Sequence, residues 1–138
     1  MQTFPLEIVT LDGEMFRGEV ARVSCRTIHG NLAILARHCN YCTAIGMGEG
    51  KVVMADGTQR TAACIGGMLT VMNGACKLLP TTWEWSDEID VARATEAKMR
   101  AEQKLGEPNI SKADQKLWES ELRRALVRLS VAQNTSLH

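Results

Sequence analysis

No run of apolar residues in this sequence approaches the length of a membrane-spanning helix. The amino terminus, Met1-Gln2-Thr3-Phe4-Pro5-Leu6-Glu7, lacks the charged-then-apolar pattern of a secretory signal, so a soluble chain not exported by that route is expected. An excess of one charge is lacking too. The 16 basic residues meet 16 acidic ones, seven of each before Ser86 and nine of each from it onward. No segment therefore has the basic surplus with which nucleic-acid binders displace counterions from phosphates. The five cysteines are odd in number and come without a signal, which argues for reduced thiols in a reducing compartment.

Turn signals are plentiful before Ser86 and absent after it. Asp12-Gly13, Asp56-Gly57 and Asn73-Gly74 supply the positive φ angles of tight hairpins, so the first part reads as an antiparallel β meander. Strands are expected over 3–10, 14–24, 31–37, 51–55, 58–65, 68–72 and 75–79. Leu6, Ile8 and Thr10 share a face, and a bulge fits between Val20 and Val23. Asn31 to Arg37 reads as a central strand, Gly46-x-Gly48-x-Gly50 as a permissive connection, and Gly66-Gly67 as a bend. After Ser86, Ala, Glu, Lys, Arg and Leu dominate, and two helices are expected, over about 87–105 and 112–132. Ser86 or Asp87 can cap the first and Ser111 the second. Gly106 and Pro108 separate them, which makes an antiparallel hairpin. Ala92, Ala94, Ala97, Ala101 and Leu105 face Leu117, Leu122, Ala125, Leu126 and Leu129 in a narrow seam that buries little area. The chain thus divides into a β unit, 1–85, and a helical unit, 86–138.

Two constellations invite chemistry. His38-Cys39-x-x-Cys42 offers two thiols and an imidazole for zinc or redox work. No second paired cluster completes four ligands; His29 and His138 are the other imidazoles. Packing of small apolar thiols on a strand is the favoured reading. Asp90 and Arg93 lie at i, i+3 on the first helix, and Arg124 and Arg128 at i, i+4 on the second. Spacing alone favours a solvated face with intrahelical pairs such as Glu121 with Arg124. Folded together, the four would set a carboxylate among three guanidiniums, which suit phosphate oxygens.

The chain resembles the epsilon subunit of F-type ATP synthases, the bacterial and chloroplast counterpart of mitochondrial delta. The resemblance rests on Phe4-Pro5-Leu6-Glu7-Ile8-Val9-Thr10, Asp12-Gly13-Glu14-x-Phe16-x-Gly18-Glu19-Val20, Gly30-x-Leu32-x-Ile34-Leu35 with His38 and Thr43, Gly66-Gly67 with Val71, Ile89-Asp90-x-x-Arg93-Ala94, and Arg124-Ala125-x-x-Arg128-Leu129. It implies a ten-stranded antiparallel β-sandwich followed by an antiparallel two-helix hairpin. It implies a noncatalytic rotor subunit of the central stalk that couples ion translocation to ATP synthesis. The sandwich would bind the gamma subunit, through Thr10 and His38 among others, and the c-subunit ring, through His29, Gly30 and Asn31. The helical unit would regulate ATP hydrolysis by the alpha/beta head. No cofactor is required, but Asp90, Arg93, Arg124 and Arg128 match a regulatory ATP site of some bacterial members. Membrane contact would come only through the complex, at the cytoplasmic face of the bacterial plasma membrane. Leu11, Ala36 and Asn40 stand where relatives usually have proline, Asn31 where they have glutamate, and Trp83-Glu84-Trp85 replaces an acid-rich hinge. A free-standing nucleotide-sensing β-sandwich protein is the alternative, and a thiol- or metal-dependent enzyme centred on Cys39 and Cys42 a third reading.

Overall fold

The computed structural model describes residues 2–136, with side chains through residue 133; His138 lies outside the described residues. Seven strands come first: β1 (Phe4–Thr10), β2 (Gly13–Thr27), β3 (Gly30–Leu35), β4 (Tyr41–Ala44), β5 (Met47–Met54), β6 (Gln59–Met72) and β7 (Ala75–Trp85). A single 3₁₀ turn, Ser86–Glu88, precedes two helices, α1 (Val91–Leu105) and α2 (Lys112–Ser136). Contacts divide the chain into two compact units, Met1–Trp85 and Ser86–His138.

Strand order is β1-β7-β6-β5-β2-β3, with β4 on β6 and β1 also on β2. Because β1 bonds both β7 and β2, the sheet closes on itself, giving two layers around one core. The expected ten antiparallel strands are corrected on two counts. There are seven, because β2, β6 and β7 run unbroken for 15, 14 and 11 residues and bend from one layer into the other. The sheet is mixed, because β1 and β7 pair in parallel. Two devices make the bends. The register of β2 against β5 shifts between Val20 and Arg22, the bulge the valine spacing predicts. In β6, Gly66 and Gly67 have φ of 68° and 101°, where L side chains are strained. A Cβ on Gly67 would also collide with the Leu79 carbonyl and Pro80.

Period-two burial builds the core. In β1, Phe4, Leu6, Ile8 and Thr10 are buried while the residues between them are not. Phe4, Leu6 and Ile8 meet Val20, Val23, Ile34, Val52, Leu69, Val71, Leu78, Trp83 and Trp85 in one cluster. Three further expectations change. The 31–37 segment is the edge strand β3, because only β2 pairs with it, and Leu35 stays exposed. The glycines 48 and 50 belong to β5 itself. Gly50 is buried, and a Cβ there would come 2.7 Å from the Trp83 ring. Trp83 and Trp85 are not a hinge. Both are buried at the end of β7, edge-on to each other at 5.3 Å between ring centroids, with the Arg60 guanidinium 3.7 Å above Trp85.

In the helical unit, α1 starts at Val91 rather than 87. Asp90, with extended backbone, is its N-cap, and the carboxylate accepts from the Arg93 N–H at 3.0 Å. Ser86 and Asp87 lie in the 3₁₀ turn instead. Ser111 caps α2 as its spacing predicts, its Oγ accepting from the Asp114 N–H at 3.1 Å. The two helices pack on each other, and α2 also packs on the 3₁₀ turn. The seam is thin. Ala94, Ala101, Ala125 and Val131 are buried, Leu126 is exposed, and Leu117 is 53% exposed. A buried methyl contributes only about 0.8 kcal/mol, so this unit is weakly held.

Candidate functional site

Three regions hold the candidate residues. The first is the α1–α2 hairpin. Capping fixes Asp90 through one carboxylate oxygen, at the amino-terminal end of α1 where the helix dipole favours negative charge. Arg93, one turn on, is exposed. Arg124 is half-buried. Its Nη1 lies 3.6 Å from Glu121, the intrahelical pair its spacing predicts, while its buried Nε lacks a hydrogen-bond acceptor. Arg128, one turn beyond on α2, is half-buried. A groove of ≈ 630 Å³ runs between the helices, with Val91 and Lys98 on one side and Leu126, Leu129, Ser130 and Gln133 on the other. The groove sets the first turn of α1 beside the 129–133 stretch, so Arg128 is nearer to Asp90 and Arg93 along the hairpin than Arg124 is. The donor set suits a polyphosphate, since guanidinium forks match phosphate oxygens and the orphaned Arg124 Nε wants an acceptor.

The second region is the pair of turns flanking β2. They are built alike. Thr10 Oγ1 accepts from the Asp12 N–H at 3.1 Å, and Thr27 Oγ1 from the His29 N–H at 3.1 Å. Each hydroxyl then donates to a carbonyl three residues on, Gly13 at 3.4 Å and Gly30 at 2.8 Å. Thr10 is buried and committed to its own turn, whereas His29 and Asn31 are exposed. Each turn lifts an aliphatic side chain into solvent, Leu11 fully and Ile28 by 64%.

The third region is the loop before β4 and the face it borders. His38 Nδ1 lies 2.8 Å from the Cys39 carbonyl, and its ring meets Tyr41 edge-on at 6.1 Å. Asn40 Oδ1 accepts from the Asn73 N–H at 2.9 Å, tying the loop to the β6–β7 turn. His38 and Thr10 are not brought together. Register aligns Tyr41, Val71, Cys76 and Leu6 across the ladder. Thr10 lies about 13 Å beyond that line along the strand, and His38 precedes it.

The packing expected for Cys39 and Cys42 fails, since neither thiol is buried. Cys25, Cys64 and Cys76 are buried, whereas Cys39 and Cys42 are exposed. Residues 38–40 are not strand, and Cys42 points to the outer face of β4. Burial pushes the Cys25 thiol up to about 11 and that of Cys76 to about 12. Among the described residues, no cluster of three or more His, Cys, Asp or Glu could hold a metal ion.

Sequence reasoning missed the outer face itself. Ala44, Met68 and Leu79 lie side by side across β4, β6 and β7. The next rows hold Cys42, Thr70 and Lys77, then Met72 and Ala75. Met68, Met72 and Leu79 are exposed. A hollow of ≈ 530 Å³ adjoins them, lined by Pro5, Glu7, Arg17, Thr70, Met72 and Lys77. The available signal was the unbroken apolar run in β6, which leaves methionines outward once the core face is filled. A concave apolar face of this kind on a folded domain is what a protein partner covers.

Comparison with known proteins covers both units. A family described as ATP synthase, Delta/Epsilon chain, beta-sandwich domain matches residues 3–86. Its companion, the Delta/Epsilon chain long alpha-helix domain, matches residues 87–133. The sequence is 36% identical over 133 residues to the ATP synthase epsilon chain of Caldicellulosiruptor bescii, covering 96% of each chain. It is 37% identical to that of Ruminococcus albus, covering 96% of this chain and 98% of that one. It is 37% identical over 100 residues to the sodium ion specific ATP synthase epsilon chain of Acetobacterium woodii, covering 72% and 75%. The fold matches a chain in the cryo-EM structure of the Euglena gracilis mitochondrial ATP synthase OSCP/F1/c-ring, with a TM-score of 0.80 at 21% identity, over 99% of this chain and 82% of that one. A chain of the Tetrahymena thermophila mitochondrial ATP synthase central stalk/c-ring gives 0.66 at 13% identity, over 95% and 97%.

Proposed function

This chain belongs to the delta/epsilon family of ATP synthase subunits, and we propose that it is a noncatalytic part of the central stalk, a rotor element that helps couple ion flow to ATP synthesis. The observation that carries the reading is the match of both family domains, in order, across residues 3–133. The sandwich is the docking body. Its outer face, with Met68 and Leu79 at the centre, supplies apolar area for the gamma subunit, and His38 borders it. The exposed turn at His29, Gly30 and Asn31 meets the c ring. In this reading the chain is peripheral, at the cytoplasmic face of the plasma membrane through the complex; no described helix is long and apolar enough to cross a membrane.

The helical unit regulates hydrolysis by the catalytic head. Its thin alanine seam makes the packed hairpin a marginal state, and a ligand that binds only that state shifts the population by its differential affinity. ATP is that ligand in this reading, with phosphate oxygens on Arg93, Arg124 and Arg128 and an adenine or ribose donor on the free oxygen of Asp90.

The test is affinity purification of the tagged full-length chain from membranes of its own organism. Gamma, alpha, beta and c subunits should co-elute in fixed ratio. Elution of the chain alone, still able to bind ATP, would establish the free-standing sensor instead.

A further inference from the structure

The net charge of zero conceals a cationic cluster that exists only through strand register. Along β2, Arg22, Ser24 and Arg26 alternate onto one face of the layer formed with β3 and β5. Pairing sets Ser24 opposite Lys51 on β5 and Ala33 on β3, and Arg26 opposite Asn31. Ser24 is therefore central, with one arginine two residues away on each side and a lysine across from it. By strand geometry, these Cα atoms lie about 5–7 Å from that of Ser24. Together with Ala33, Asn31, Gly48 and Glu49 they line a cleft of ≈ 470 Å³. Small residues keep it open. A Cβ on Gly48 would lie 3.0 Å from the Arg26 Cβ and displace it.

Two other arginines of this unit are engaged: Arg17 bonds Glu7 and Glu14, and Arg60 lies over Trp85. Among the described residues, the side chains of Arg22, Arg26 and Lys51 form no ion pair or hydrogen bond. One carboxylate, Glu49, lines the cleft beside three cations, so an excess of positive charge is held there. Like charges at this spacing repel one another, and a bound anion relieves them.

We propose that this cleft is an anion site for a phosphate group, carried by an anionic phospholipid headgroup or by a small soluble phosphate compound. A tetrahedral phosphate can accept from donors on three sides and from the Ser24 hydroxyl at once. The acceptor directions of a carboxylate lie in one plane, which fits donors on three sides less well. Guanidinium forks add bidentate geometry that a lysine alone would not supply.

The test uses the full-length ¹⁵N-labelled chain, followed by amide chemical shifts. Inorganic phosphate and glycerol 3-phosphate should give saturable shifts centred on Ser24, Ala33, Gly48 and Lys51. The double variant Arg22→Gln/Arg26→Gln should weaken binding about tenfold or more, whereas Lys77→Gln on the other layer should not. Lys51→Gln is the second variant should the double one not fold. Vesicles separate the sources: tighter binding to phosphatidylglycerol than to phosphatidylcholine vesicles, lost in the variants, identifies a headgroup. Saturation by soluble phosphate with no vesicle preference identifies a small compound. Shifts scattered over all cations, equal shifts with citrate at matched ionic strength, or unaltered affinity in the variants would overturn the site. Tighter binding of polyglutamate than of any phosphate would overturn it in favour of a protein-docking face.

Discussion

Burial divides the five thiols of this chain. Cys25, Cys64 and Cys76 lie in the sandwich interior, where desolvation disfavours the thiolate, while Cys39 and Cys42 stand in water. In the native protein Ellman's reagent should therefore titrate two thiols quickly, and the other three only on unfolding. Substituting Cys39 and Cys42 with Ser should abolish the fast phase. Reaction of all five at one rate would contradict the burial. The same three thiols set an alkaline limit. From their ordinary value of 9.0 upward, the unfolded chain loses protons that the folded chain keeps, until about 11 for Cys25 and about 12 for Cys76. The unfolded state then binds fewer protons, so stability falls as pH rises, by at most about 1.4 kcal/mol per pH unit for each thiol. Urea midpoints should hold below pH 9 and decline above it. Cys76→Ala should be less stable at neutral pH yet decline less steeply. Cysteine identity was legible in the sequence, but its burial was not. Cys39-Asn40-Tyr41-Cys42 reads as strand by composition, but Cys39 lies in the loop tied down by the Asn40–Asn73 bond, and Cys42 lies on the outer face of β4.

At the scale of the element, Asp90 carries two separable roles. It caps α1, and under the proposed function it also contacts ATP. Asp90→Ala should remove both, costing the helical unit about 1 kcal/mol. Asp90→Asn keeps an acceptor for the Arg93 N–H and removes only the charge. Calorimetry should then show ATP weakened about tenfold in the Asn variant while helicity by circular dichroism stays at the wild-type level. Arg93→Ala and Arg124→Ala should weaken ATP comparably. Wild-type affinity in all three variants would remove these residues from the site. Trp118 on α2, half-exposed, is the fluorescent reporter for this unit, since Trp83 and Trp85 are buried in the sandwich. The helices themselves were legible, because caps and periodicity are local. The first turn was misplaced because Ser86, Asp87 and Asp90 are all good caps, and only packing of α2 on the 3₁₀ turn distinguishes among them.

At the scale of the whole molecule, the hydrophobic cluster of the sandwich draws every member from Phe4 to Trp85. A chain ending at Ser86 should therefore melt cooperatively and keep the buried emission of Trp83 and Trp85. It should also retain gamma binding. Loss of the cooperative transition would show that the sandwich needs the helices. Met68→Glu in the full chain should leave the melt within about 0.5 kcal/mol of wild type, since the residue is exposed, yet weaken gamma binding by tenfold or more. Unchanged gamma affinity would move the docking surface elsewhere.

Local chemistry was enough to determine the hairpin turns at Asp12-Gly13, Asp56-Gly57 and Asn73-Gly74, the helix punctuation at Gly106 and Ser111, and the division near Ser86. Each depends on preferences acting within a few residues: positive φ in the hairpin turns, side-chain capping at Ser111, and at Gly106 a helix end in ordinary right-handed conformation. Only the tertiary structure decided that β1 joins β7 in parallel, that Trp83 and Trp85 are core, and that β3 is an edge. It alone set Ala44, Met68 and Leu79 in one row and drew Arg22, Arg26 and Lys51 around Ser24. Those facts depend on which strand lies beside which, and register is fixed by burial of a whole face rather than by any segment's own preference.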